Sequence, residues 1–246
     1  PQLAKAGTAN VKSARAAYEA DVEDRDAFSA AVRALYYNGD FQAAVDLTDQ
    51  VAAREKEGLE FKEGDAWALN MQAYSYDALG ETEKADAILD RLADFNPDQE
   101  GWVVNFLINR ASRLIGYGRF EEGLKAATLA RSADGSTYAK MIIAKDHVCA
   151  LNALGRAQEA EDDVAFLREN QEPFSIGLAA QGLQCHSLRD EAAALLTQAL
   201  KDPETRDSVI KDLQGPEAVL FYTQSILPSN HDLLAEYPEL AAEFER

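Results

Sequence analysis

Asn38-Gly39-Asp40-Phe41-Gln42-Ala43-Ala44 decides how the rest of the chain is read. A small turn is followed by a polar pair, then by a small residue that opens a new apolar series. The phrase returns as Gly80-Glu81-Thr82-Glu83-Lys84-Ala85, Gly118-Arg119-Phe120-Glu121-Glu122-Gly123 and Gly155-Arg156-Ala157-Gln158-Glu159-Ala160. A degenerate copy follows in Ser187-Leu188-Arg189-Asp190-Glu191-Ala192, so the turn residues stand 41, 38, 37 and 32 positions apart. A fixed phrase at this period is the mark of a repeat architecture.

The residues around each turn repeat as well. Before it stand Phe28, Val32 and Leu35; Leu69, Ala73 and Tyr76; Leu107, Ala111 and Leu114; Ala144, Val148 and Leu151; and Ile176, Ala180 and Leu183. After it stand Ala44, Thr48 and Val51; Ala85, Leu89 and Leu92; Gly123, Ala127 and Ala130; Ala160, Val164 and Leu167; and Ala192, Leu196 and Ala199. Steps of four and three place each trio on one face of an α-helix. Glycine at the turn supplies the left-handed conformation that ends the first helix. The small residue after it lets the second helix approach the first. Each unit is therefore an antiparallel helix pair, A then B. Alternating β-branched patterns are nearly missing, and Ala, Leu, Glu, Asp and Arg dominate, so the fold class is all-α.

These residues resemble the tetratricopeptide repeat family. The likeness rests on the small residue in mid helix A (Ala73, Ala111, Ala180), the Gly-Asp-Phe type of turn and the small residue opening helix B. Pro97 and Pro203 close their units where that family often places a proline. It covers roughly residues 26–204. The Trp, Leu-Gly and Tyr of the ideal first helix are mostly missing, Gly123 replaces the usual Ala, and three spacings exceed the family's period of about 34. The resemblance implies a right-handed α-solenoid of about five TPR-like pairs. Its implied division is an N-terminal cap over 1–25, a repeat array over 26–204 and a C-terminal helical cap over 205–246. A solenoid end must cover an apolar face, which gives both caps their purpose. Residues 9–23 predict the first cap helix. In the second cap, 209–213 predict a short helix. Residues 217–227 predict a buried stretch that includes Ala218 to Tyr222, Ile226 and Leu227. Short helices are expected after Ser229 or Asn230 and from Pro238.

In that family helix A lines the concave face, and its outward positions give the candidate binding residues. They are Arg33, Tyr36, Tyr37, Trp67, Asn70, Tyr74, Asn105, Lys145 and Asn152, with Ser29, Asp77, Ser112, Gln181 and Gln184 beside them. Amides serve both donors and acceptors of a peptide backbone, and aromatic rings supply rigid contact area. The mixture fits an extended peptide or a partner helix. Trp67 and Tyr74 fit packing against the next repeat equally well. The Lys and Asn clamp that some of the family use for a terminal carboxylate is not carried over, because Ser29 and Arg33 stand there.

The chain has 24 Lys and Arg against 43 Asp and Glu, a formal charge of −19 over 246 residues. That argues against nucleic acid and against anionic lipid surfaces as partners. No apolar run reaches the ~20 residues of a membrane span, so no membrane insertion is expected. Most of the acid, including Glu159, Glu161, Asp162 and Asp163, is read as the solvated face of helix B.

No motif carries chemistry. Residues 94–99 open like a calcium loop, but the required Gly is Gln99 and the bidentate Glu is Asn105. Asp146-His147 reads as a surface pair. Cys185-His186 cannot readily share a proton, because neighbouring helical residues point about 100° apart. No metal, cofactor or catalytic residue is expected. Cys149 and Cys185 lie on neighbouring A helices and can bridge if their Cα atoms come within about 7 Å. Two free thiols fit the sequence as well. The chain begins at Pro1, which fits a removed leader, a trimmed start or a module of a larger protein. The compartment, periplasmic or cytoplasmic, and the oligomeric state stay open.

The expected function is a non-catalytic scaffold or adaptor that holds a protein or peptide. The alternatives are a small-ligand or glycan binder using the aromatics, a regulatory module of a larger protein, and a helical enzyme joining distant acids to His147, His186 or His231.

Overall fold

The computed structural model describes residues 2–96, 100–132, 135–214 and 225–246. All regular structure among them is helical. They fall into two compact units, one of residues 2–96 and one of the described residues from 100 onward.

The first unit holds α1 (Gln2–Ala20), α2 (Arg25–Tyr37), α3 (Phe41–Lys56), α4 (Glu63–Ala78) and α5 (Thr82–Ala93). Helices α2 and α3 form one pair and α4 and α5 another, with α4 and α1 each packed on α2. The second unit holds α6 (Val103–Gly116), α7 (Phe120–Arg131), α8 (Thr137–Ala153), a 3-10 turn at Ala157–Ala160 leading into α9 (Glu161–Glu169), α10 (Ile176–Cys185) and α11 (Arg189–Lys201). Here α8 packs on α6, and α10 on α8. The short helices α12 (Arg206–Asp212), α13 (Leu233–Glu236) and α14 (Pro238–Phe244) follow, and α12 and α14 pack on α11.

The turns explain the pairing. Gly39, Gly80, Gly118, Gly155 and Ser187 all have positive φ, at 83°, 80°, 78°, 73° and 63°. In each case the next residue's N–H reaches back five positions. Asp40 donates to the Leu35 carbonyl at 3.0 Å, Glu81 to Tyr76 at 2.8 Å, Arg119 to Leu114 at 2.9 Å, Arg156 to Leu151 at 2.8 Å and Leu188 to Leu183 at 2.9 Å. This closes the first helix and reverses the chain into the second.

The core follows the trios. Every position in them is buried except Tyr76, which is half-buried with the Lys84 ammonium 5.0 Å from its ring centre. Full burial of side chains such as Phe28, Leu89, Leu107 and Leu196 contributes about 1.5–3 kcal/mol each. Between α2 and α4 the approach is so close that a Cβ on Gly64 would lie 2.4 Å from the Arg25 carbonyl oxygen. Beside it, Asp65 receives Arg54 at 2.7 Å and Arg25 at 3.4 Å, so one buried carboxylate ties α4 to α3 and α2.

The ends differ from the sequence reading in detail. Helix α1 starts at Gln2, not at residue 9, and stops at Ala20, which leaves Val22 53% exposed. Its Gly7, Val11, Ala14 and Tyr18 face the unit, at steps of four, three and four. Ile226, expected to be buried, is 68% exposed: its backbone N–H donates to the Gly116 carbonyl at 2.9 Å and its side chain lies over the turn at Gly118, not in the core. Ala218 to Tyr222 and Pro97 to Gln99 lie outside the described residues. Ser229 caps the 3-10 turn Asn230–Asp232, accepting from the His231 N–H at 3.2 Å, and Pro238 opens α14.

Candidate partner-binding face

In the first unit, the open side of α2 is a stripe of Asp26, Ala30, Arg33 and Tyr37. Neighbouring α4 keeps Glu63, Trp67, Tyr74 and Asp77 at the solvent boundary. The two stripes are joined by Tyr36. Its ring is buried, with centroids 5.7 Å from Tyr37, 5.5 Å from Phe41 and 6.1 Å from Tyr74. Tilted and edge-on contacts of this kind hold rings in fixed orientations. Tyr37 is thereby supported from below while it stays 37% exposed. Trp67 Nε1–H donates to Glu63 Oε1 at 3.1 Å, one turn earlier on α4, which fixes the indole at the surface. On the same helix, burial pushes the Tyr76 hydroxyl above its ordinary pKa, with Lys84 opposing.

The candidates divide by burial. Arg33, Tyr37, Trp67 and Tyr74 reach the surface of this face. Tyr36 and Asn70 do not: both are buried, because α4 packs directly on α2 and covers the positions between the stripes. They support the face and are corrected here from binding to packing positions.

The second unit brings its candidates together less well. Asn105 is exposed, and its amide donates back to the Trp102 carbonyl at 3.3 Å. Lys145, expected in a groove, is buried and ion-paired with Asp146, which also accepts from Ser112 Oγ at 2.5 Å. The reason is that α8 is covered from several sides, by α6, α7, α9 and α10. Asn152 is half-buried, donating to the Val148 carbonyl at 2.7 Å and lying 3.0 Å from His186 Nδ1. Cys149 and Cys185 are joined as a disulfide, with Cα atoms 4.9 Å apart.

A polar chain in this unit escaped the sequence reading. Asp146 and His147 are buried, not a surface pair, and so is Asp163, read there as a solvated acid. His147 Nδ1 lies 3.4 Å from Asp163 Oδ2, its Nε2 lies 3.3 Å from Thr128 Oγ1, and Arg131 pairs with the other oxygen of Asp163. The available signal was the apolar run on both sides of residues 145–147, Ile143-Ala144 and Val148-Cys149-Ala150-Leu151, which leaves a helix no polar face.

Among the described residues, no group of three or more His, Cys, Asp or Glu is placed to hold a metal ion, and no helix is long and apolar enough to cross a membrane. The chain matches no protein-family profile, no curated protein and no solved structure.

Proposed function

We propose that the chain is a TPR-like helical-repeat protein that holds a protein or peptide partner without catalysing a reaction. In this reading the helix pairs stack into a right-handed solenoid. Support comes from the shared left-handed turn and from the packing of first helix on first helix within each unit. The observation that carries the function is the face made by α2 and α4. Tyr37, Tyr74 and Trp67 stand there on rigid helices with Arg33 beside them. Aromatic and arginine side chains on a preorganised surface are the residues that dominate binding energy. The disulfide supports an oxidising compartment.

The test is a peptide-display selection on the intact chain, followed by fluorescence anisotropy of the enriched peptides. Combining Arg33→Ala, Tyr37→Ala and Trp67→Ala should weaken binding at least about tenfold, the loss expected from removing more than ~1.4 kcal/mol of contacts. Circular dichroism should report unchanged helix content. Undiminished affinity in the triple variant, or no enriched peptide, counts against the assignment.

A further inference from the structure

We infer that residues 225–229 are a strap closing a second peptide-binding face, made by α6, α8 and α10, and that the partner of this face is a peptide carrying leucine followed by proline. The site lies within the second unit and uses none of the residues of the α2–α4 face.

The strap lies over equivalent positions of the repeat. Six residues before their turns stand Arg33 and Tyr74 in the first unit and Cys149 and Gln181 in the second; three residues before theirs stand Ile115 and Gln184. Arg33 and Tyr74 reach the surface. In the second unit these positions are met by the chain's own residues 226–230. The Ile226 N–H donates at 2.9 Å to the carbonyl of Gly116, at the end of α6, where a helix leaves its carbonyls without partners of its own. Leu227 is half-buried against the cluster of Ile115, Cys149 and Ala150. On α10, Gln181 Nε2 donates to the Pro228 carbonyl at 2.9 Å. Three successive residues thus offer an N–H, an apolar side chain and a carbonyl. A bound peptide is read in the same way: main-chain groups give affinity and a pocketed side chain gives selectivity. The proline keeps Leu227 out of the helical region, which leaves those groups free to meet the face.

The attachment is uneven. At its far end the strap is anchored, because Asn230 is buried, accepting from Gln184 Nε2 at 2.7 Å and donating to the Gly177 carbonyl at 2.9 Å. At its start Ser225 is exposed, and so is the side chain of Ile226. A segment with little buried surface opens before the helices beneath it. Opening about Asn230 bares Ile115 and Cys149 and releases the Gly116 carbonyl and the Gln181 amide. A peptide with leucine before proline restores each of these contacts. A charged side chain in the leucine position would be buried against Ile115, Cys149 and Ala150 with no counter-charge, which is costly. While the strap is closed, the partner's apparent affinity is reduced to the fraction of open chains.

The experiment is fluorescence anisotropy of a labelled peptide, Ser-Ile-Leu-Pro-Ser, the strap's own sequence, with the intact oxidised chain. Two variants open the strap. Leu227→Ser removes its apolar anchor, and Ile226→Pro removes its N–H donor at a residue whose side chain is exposed. Each should bind the peptide about tenfold or more tighter than the wild-type chain, with circular dichroism unchanged. Adding Gln181→Ala to either should weaken binding about tenfold, as should serine in place of leucine in the peptide. In the wild-type chain, hydrogen exchange at the Ile226 amide should be at least about a hundredfold faster than at the amides of α8. No binding to either strap variant, equal binding by variants and wild type, or affinity indifferent to Gln181→Ala overturns the inference. So does an Ile226 amide as protected as those of α8. A wild-type dimer in light scattering that Leu227→Ser abolishes overturns it too, by giving the face to a second copy. Since the partner-face variants lie on α2 and α4, failure here and failure there are separate results.

Discussion

Ser187 shows what a single residue contributes to the architecture. Four of the five pair turns place glycine in the left-handed region; the fifth places Ser187 there, at φ 63°. The spacing alone identified it as a degenerate copy, because position in the repeat, not residue type, marks a turn. An L-residue with a Cβ costs about 1–2 kcal/mol in that region. Ser187→Gly should therefore raise stability by about 1 kcal/mol, part of the gain being offset by the greater freedom of glycine in the unfolded chain. Urea unfolding reads this as a higher midpoint at an unchanged slope, and a lowered midpoint would contradict it. Other single residues were less legible. Tyr36, Asn70 and Lys145 sit at helical positions that periodicity places away from the pair's own core, yet all three are buried. A helix period reports the strongest apolar face. It does not report a second face covered by the next pair, and α8 is enclosed along most of its length.

At the level of the element, the helix pair is defined by how closely its second helix approaches its first. Ala44, Ala85, Ala160 and Ala192 open the second helix in four pairs, all fully buried, and Gly123 stands in the remaining one. The sequence marked Gly123 as a departure without giving its cause. The structure gives it: a Cβ there would lie 2.3 Å from Ile115 Cγ1 and 3.1 Å from the Ile115 backbone nitrogen. Ile115 is itself fully buried, so it has little room to move. Gly123→Ala should then destabilise the second unit by about 1–3 kcal/mol, the usual range for overpacking a filled core. This outweighs the gain of up to ~1 kcal/mol that alanine normally brings to a helix interior. Ile115→Ala alone opens a cavity, and the double variant should lose less than the sum of the two singles, since the new methyl occupies space the isoleucine vacates. Additive losses in a double-mutant cycle by chemical denaturation would show that the two side chains do not share that space. The pairing, the turns and the core trios were thus readable from periodicity. The polar chain of Thr128, His147, Asp163 and Arg131, buried at His147 and Asp163, was not, because its members come from three helices and no local spacing links them.

For the molecule as a whole, two compact units and one covalent link inside the second of them set where stability resides. The sequence could place Cys149 and Cys185 on neighbouring helices but could not choose between a bridge and free thiols, since the choice depends on a distance between helices. With the cysteines 36 positions apart, the bridge closes a loop whose chain entropy is worth about 4 kcal/mol in the unfolded state. Replacing both with serine, or reducing the wild-type chain, should lower the stability of the second unit by up to about that amount. The two tryptophans divide between the units, Trp67 in the first and Trp102 in the second, so they report separately. In a Trp67→Phe background, the Trp102 fluorescence midpoint in urea should fall on reduction, and the wild-type chain should show no reactive thiol in denaturant before reductant is added. Two reactive thiols before reduction, or a Trp102 midpoint indifferent to it, would remove the bridge from the account. A Trp67 midpoint that falls by the same amount in the Trp102→Phe background would show that the units unfold together, and the stability assigned to the bridge would then belong to the entire chain.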